Sequence, residues 1–448
     1  MKRLIKILLI VLLVCGYNSA LGQSVKHVVL ISIDGSRPEF YMDSSWPAPN
    51  LQKLKDEGVY AGRGVKSVYP SVTYPSHTTI VTGDYPATHG VYYNIPIDGK
   101  PGEWYWNAGA IKSETLWDAV EDAGMTSGAV FWPVTVDAPI DYNFPVRRPE
   151  ENEKGNLLTI KYPYISPKSL LDDIEKKRGK KFTPDELKQR NYAESKTINE
   201  ISNYIIKKYK PNLMAIHFVG IDHMEHAHGT EAPEVREILA LTDSLVGSVI
   251  ETIKEAGIWD KTAIIITGDH GHTNTIAKFA PNVYLAEHDL INKNGWKAKF
   301  HGEFLYLKED EDQATLDSVI AILENTPEYK KGAFRILNRE TLDTMGVNPN
   351  VSLAIAMKAG IKVRNGKKGK TFQVAKGNHS THGYDPSYPS MYTSFIAAGA
   401  GIDEHKDIEG MGLQDIAMLV AKLLDLDFET HDGELIPDIL KEYKVKTP

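Results

Sequence analysis

Five places in this chain carry residues able to hold a metal ion or act as a nucleophile: Asp34, Thr73, Asp222 with His226, Asp269 with His270, and His382. Three of the acids directly follow apolar runs, HVVLISI at 27–33, LMAIHFVGI at 213–221 and AIIITG at 263–268. If these runs are parallel strands of one sheet, their carboxylates collect outside its carboxyl edge, where open α/β sheets bind ligands. Carboxylates crowded together there need a cation to stay ionised. With histidines and a hydroxyl nucleophile beside them, the set reads as a two-metal hydrolase.

Each piece has a plainer alternative. Thr73 lies in PSVTYPSHTTIVTG, where Pro70 and Pro75 frame a turn and SHTTIVTG reads as the helix that follows. A threonine at a helix start sits among free N–H groups that favour an anion, or serves as a simple N-cap. Asp222 and His226 in GIDHMEHAHG are four apart, share a helix face and suit zinc; His223 and His228 compete with them. Asp269 and His270 in TGDHGHTN follow the strongest strand, and the flanking glycines also permit an ordinary tight turn. His382 in HSTHGYDP has His379 as its rival.

The elements that must position these residues alternate between strand-like and helical patterns. LWDAVEDAG at 116–124 leading into SGAVFW at 127–132 is one instance. This rhythm predicts an α/β fold, a doubly wound and mostly parallel sheet with helices on both faces. We expect one catalytic domain over 23–448 with two insertions. The first, about 133–210, is rich in proline and tyrosine before a basic helical stretch, and reads as a cap. The second, about 282–376, holds a strand at FLYLK, a helix around ATLDSVIAIL and a lysine-rich hairpin at VRNGKKGKTF whose turn reads as a solvated loop. The sheet resumes at SFIAAG, 394–399.

Residues 1–22 have the basic start, short apolar core and small-residue end of a secretory signal, so the mature protein is expected to be periplasmic or secreted. The sole cysteine, Cys15, lies in that leader and leaves lipoprotein anchoring as a second route. No run reaches the roughly 20 apolar residues of a transmembrane span. Without mature cysteines there is no disulfide framework, and a large apolar core must carry stability. The net charge of −8, more negative once the leader is removed, argues against nucleic acid bound in a groove. It leaves room for a small phosphoester, because local ions set the field of a site.

The run TYPSHTTIVTGDYPATHGVYYN, with ISIDG before it and GDHG and HGYDP after it, resembles the nucleotide pyrophosphatase/phosphodiesterase family of the alkaline phosphatase superfamily. The motifs stand in family order from about Lys26 to Gly401. The resemblance implies an alkaline phosphatase-like fold and two Zn2+ ions. One ion would be held by Asp222, His226 and His382. The other would be held by Asp34, Asp269 and His270, with the oxygen of Thr73, the nucleophile, turned toward it. Asn94 and the N–H of Tyr74 would bind a phosphoryl oxygen, and the Tyr74 ring would stack on a nucleobase. The chain departs from the family at Glu225, at Gly220–Ile221 and in NIPIDG after Asn94. These departures leave the metal ligands intact and bear on the substrate pocket, where Tyr142, Tyr162 or Tyr164 could face the base.

The function so implied is an exported two-zinc phosphodiesterase or pyrophosphatase. It would cleave nucleotide-type esters or anhydrides through a phosphothreonine intermediate and release a nucleoside monophosphate. A neutral amide at Asn94 suits a diester, whereas a dianionic monoester would want a cation there. The alternative substrates for the same site are phosphomonoesters, phosphonoacetate-type compounds and phospholipid head groups.

Overall fold

Eight strands form the central sheet: β1 (His27–Ile33), β2 (Val59–Tyr60), β3 (Ser127–Val130), β4 (Tyr142–Phe144), β5 (Leu213–Phe218), β6 (Thr262–Thr267), β7 (Phe395–Gly399) and β8 (Lys406–Asp407). The computed structural model describes residues 25–441 apart from 98, 101, 151–153, 156–159, 188–191 and 310–311. The leader expected at 1–22, and Cys15 with it, lies outside the described residues. Among these residues no helix is long and apolar enough to cross a membrane.

The strand order is β8-β2-β7-β6-β1-β5-β3-β4. β1 sits between β5 and β6 and runs parallel to both, as β3 does to β5 and β4. β7 is antiparallel to β6 and β2. Along β1 the side chains alternate: Val28 and Leu30 enter one core, Val29, Ile31 and Ile33 the other. A strand buried on both faces reads as one apolar run. Helices Pro49–Glu57, Tyr192–Tyr209 and Pro233–Glu255 cover the Ile31 face, through Leu51, Ile201 and Val246 among others. Helices Leu116–Asp122 and Asp415–Leu424 cover the Leu30 face. The first of these is fixed at its start by a reciprocal capping box between Thr115 and Asp118. Truncating Ile31 to alanine in this closed core costs about 2–5 kcal/mol.

The stretch expected to be a cap over 133–210 contributes to these layers. It supplies β4 at the sheet edge and the helix Tyr192–Tyr209, whose Ile198, Ile201 and Ile205 fall on one face and join the core. The residues of 282–376 include a four-stranded antiparallel sheet, ordered Ala298–His301, Phe304–Leu307, Leu353–Met357, Phe334–Leu337, with its own apolar cluster. The lysine-rich segment is not a hairpin. Its strands, Ile361–Val363 and Phe372–Val374, flank a third strand, Ala277–Phe279, parallel on one side and antiparallel on the other. That central strand has three residues, too short to announce itself in sequence.

Candidate active site

Three carboxylates meet because their strands are adjacent. Asp34 follows β1, and its N–H donates to Phe218 O at the end of β5, 2.9 Å away. Asp269 follows β6, and its Oδ1 accepts from the N–H groups of Gly35 and His270 at 3.1 and 3.0 Å. Gly35 has φ +73°, and a Cβ there would meet Asp222 Cα at 3.2 Å. Only glycine lets the loop after β1 pass so close. β5 ends four residues before Asp222, which sits in the first turn of the helix Gly220–His228 rather than directly on the strand end.

Asp34, Asp269 and His270 turn one ligand atom each toward a common point, all within 4.8 Å of one another. Asp34 Oδ1, Asp269 Oδ2 and His270 Nε2 are buried and lack a hydrogen-bond partner. Burial, and then the nearby Asp222, pushes the Asp34 carboxyl well above its ordinary range; burial and then Asp34 do the same to Asp269. Burial, then His382, keeps His270 neutral, with its lone pair available. Orphaned oxygens and a neutral imidazole converging in a buried place fit a divalent ion, which would satisfy all three.

The second grouping centres on Asp222 Oδ1. His226 Nε2 lies 3.2 Å from it and His382 Nε2 3.5 Å. Each ring is oriented from behind: His226 Nδ1 donates to Ser380 O at 2.9 Å, and His382 Nδ1 to Ser71 O at 2.8 Å. Such bonds fix the tautomer that leaves Nε2 free for a metal. Burial opposes ionisation of Asp222, but His226 and His272 outweigh it and hold its pKa well below the ordinary range. The His270 and His382 rings stack at 3.5 Å, so the two groupings adjoin.

Sequence reasoning missed His272. Its Nε2 is 2.8 Å from Asp222 Oδ1 and its Nδ1 2.9 Å from Ser380 Oγ, and it falls in one cluster with Asp222, His270 and His382. The signal was present: in GDHGH, residues 270 and 272 alternate along an extended segment and so share a side. Behind His272 stands buried Glu225, whose Oε1 is 3.1 Å from Arg37 Nε. Two further buried histidines back the first grouping. His217 Nε2 is 3.2 Å from Asp34 Oδ2, and His77 Nδ1 donates to Thr73 O at 2.8 Å.

Thr73 is the first residue of the helix Thr73–Thr82, three residues before the expected start. Pro75 falls in the first turn, where its missing N–H costs nothing. The Tyr74 N–H, expected to bind a phosphoryl oxygen, donates instead to Asn94 Oδ1 at 2.9 Å. That bond assigns the amide orientation and leaves the Asn94 NH2 as the donor. Tyr74 is 3% exposed, with ring centroids of Trp104 and Trp106 at 5.2 and 6.1 Å. It packs as well as lining the site.

Thr73, Tyr74, Asn94, Asp34, Asp222, His226 and His382 line one cleft of about 750 Å³, a size that accepts a nucleotide. Asp269 and His270 are fully buried beside it. Tyr142, Tyr162 and Tyr164 are not among the lining residues; Tyr142 stacks on Tyr209 at 3.9 Å. The wall contains Trp104, with the Arg148 guanidinium 4.5 Å from its ring.

The type I phosphodiesterase / nucleotide pyrophosphatase model matches residues 28–385. The chain belongs to this family. Its members are metal-dependent phosphodiesterases and nucleotide pyrophosphatases, and the two Asp/His groupings are consistent with a binuclear metal centre. The chain is 25% identical to human (Homo sapiens) ectonucleotide pyrophosphatase/phosphodiesterase family member 5, across 92% of this chain and 78% of that protein. It is 23% identical to the mouse (Mus musculus) bis(5'-adenosyl)-triphosphatase, across 94% and 83%. Among solved structures, murine ectonucleotide pyrophosphatase/phosphodiesterase 5, an inactive form in complex with AMP, matches with a TM-score of 0.66 at 20% identity. The match covers 93% of this chain and 100% of that one.

Proposed function

We propose that this family member cleaves phosphodiester or phosphoanhydride bonds of nucleotide-type substrates, with Thr73 as nucleophile and two zinc ions as cofactors, and releases a nucleoside monophosphate. The observation that carries this is the set of buried, unpartnered atoms Asp34 Oδ1, Asp269 Oδ2 and His270 Nε2, converging beside the cleft that Thr73 lines. Asp34, Asp269 and His270 would hold one ion, and Asp222, His226 and His382 the other; mixed carboxylate and imidazole donors suit zinc. When bound, such ions supply Lewis-acid stabilisation of the entering and leaving oxygens.

Thr73 Oγ attacks phosphorus in line, giving a phosphothreonine that water then hydrolyses. The Asn94 NH2, oriented by the Tyr74 N–H, donates to the non-bridging oxygen where charge builds. Trp104 and the adjoining Tyr74 offer an aromatic wall to a nucleobase. The AMP complex of the murine relative supports a nucleotide substrate. The expected leader and the ecto-type relatives support an exported enzyme.

One observation favours a second reading, phosphomonoester hydrolysis: Arg148 places a cation in the cleft, the group a dianionic monoester would use. Turnover of bis-p-nitrophenyl phosphate, p-nitrophenyl phosphate and the p-nitrophenyl ester of thymidine monophosphate separates the two. Native, Thr73→Ala and chelated protein are compared. The nucleotide ester should be fastest, and chelation and Thr73→Ala should each abolish turnover. Faster monoester hydrolysis would establish the second reading, and full activity in Thr73→Ala would exclude the covalent route.

A further inference from the structure

Two lysines of the cleft wall have no part in that mechanism. Lys278 is the middle residue of Ala277–Phe279 and Lys362 the middle residue of Ile361–Val363. The two strands are parallel, with these residues directly in register. Their side chains therefore leave the same face of the small sheet, side by side. The flanking Ala277, Phe279 and Ile361 are buried in the accessory core, which turns both lysines outward, where they line the cleft. Lys362 also borders the recess beyond His226 and His382 that reaches Asn94.

Like charges set directly opposite across paired strands are unfavourable, and among the described residues neither ammonium has a carboxylate within ion-pairing distance. Lys362 keeps solvent exposure, but partial desolvation against the cleft wall, and then Lys278, lowers its proton affinity, with Asp222 pulling it back. Asp222 is the acid nearest in charge terms, and a bound ion would engage it. Lys362 bears on His226 and Asp222, whereas Arg148 bears on Asp34 and Tyr74. Lys362 lines one recess with His226 and His382, which puts the lysine pair on the side of that grouping.

We propose that Lys278 and Lys362 form an anion subsite for a phosphate-bearing leaving group, so that phosphoanhydrides are preferred over esters with an uncharged or singly charged leaving group. This rests on the phosphodiesterase reading. Thr73 Oγ bonds to the α-phosphorus and gives up its proton to solvent. The bond from that phosphorus to the bridging oxygen breaks, and its electron pair leaves on the released polyphosphate, which the two ammonium groups neutralise. Water then adds to the phosphothreonine, and Thr73 departs reprotonated.

The test compares native holoenzyme with Lys278→Ala/Lys362→Ala and Lys278→Arg/Lys362→Arg, using ATP and the p-nitrophenyl ester of thymidine monophosphate. The ratio of kcat/KM for ATP to that for the ester should fall about tenfold in the alanine pair, mainly through KM, and recover in the arginine pair. A ratio that stays at the native value, or a loss that arginine does not restore, overturns the subsite. If native protein cleaves neither compound, the phosphodiesterase reading fails, and calorimetric binding of α,β-methylene-ATP against AMP decides the subsite. A native preference for the triphosphate that vanishes in the alanine pair upholds it, and equal preferences in both proteins overturn it.

Discussion

Arg37 and Glu225 form a buried pair whose removal has a calculable pH signature. Arg37 Nε is 3.1 Å from Glu225 Oε1, with side chains 9% and 0% exposed. The guanidinium also donates to Thr230 O at 3.0 Å and lies 4.8 Å from the Phe40 ring. Burial pushes the Glu225 carboxyl up from its ordinary 4.5, and Arg37 is the main group pulling it back. Even beside Arg37 the carboxyl stays well above that value; in Arg37→Met the apolar stem is kept and the charge is lost, so the Glu225 carboxyl is driven higher still. The unfolded chain ionises this residue near 4.5, and each pH unit over which only the folded chain keeps it neutral costs about 1.4 kcal/mol. A folded pKa raised in this way contributes stability that is full below 4.5 and is lost as pH rises toward the folded value. Both chains therefore lose stability as pH rises above 4.5, and the variant should go on losing up to about 1.4 kcal/mol per pH unit after the native profile has levelled off. A pH-independent loss of about 1–3 kcal/mol from the broken bond to Thr230 adds to this. Urea unfolding of chelator-treated protein, followed by tryptophan fluorescence at each pH unit from 5 to 9, measures both parts. Arg37→Met/Glu225→Gln should keep the constant part and abolish the slope. Parallel stability profiles for native and Arg37→Met over the whole of that range would refute the argument.

Three further outcomes are expected. Asn94→Ala should lower kcat on a diester about 10²–10³-fold, as for other single oxyanion donors; a loss under threefold in steady-state assays would remove Asn94 from the reaction. His272→Ala frees Asp222 of its shortest bond, 2.8 Å, and should weaken metal retention about 10–100-fold in chelator competition, while unaltered retention would make His272 a packing residue. Tyr69 donates to Glu303 Oε2 at 2.5 Å, and burial raises the Glu303 carboxyl well above 4.5. Its contribution is thus full below that pH and lost as pH rises, so Glu303→Gln should flatten the Tm profile between pH 4 and 8.

The sheet and the acids at its edge were legible because buried parallel strands leave continuous apolar runs, and Asp34 and Asp269 stand just after two of them. The helix Tyr192–Tyr209 was hidden, since its isoleucines are separated by polar residues and follow a proline- and tyrosine-rich stretch. Trp104 and Arg148 escaped notice because they come from loops, where no periodicity marks a residue as facing a cleft. The use of the Tyr74 N–H was likewise invisible, because a backbone donor leaves no trace in side-chain chemistry. His272 was readable from its spacing to His270 and was passed over.

The position of β1 between β5 and β6 also bears on how the chain assembles. Asp34 bonds to a residue 183 positions along the sequence, and Gly35 to Asp269, 234 positions along. Closing the acidic edge therefore means drawing in two very long loops against the mutual repulsion of three carboxylates. Chains of such high contact order fold slowly, and here a divalent ion or an acidic medium would act on the speed of sheet closure before any substrate arrives.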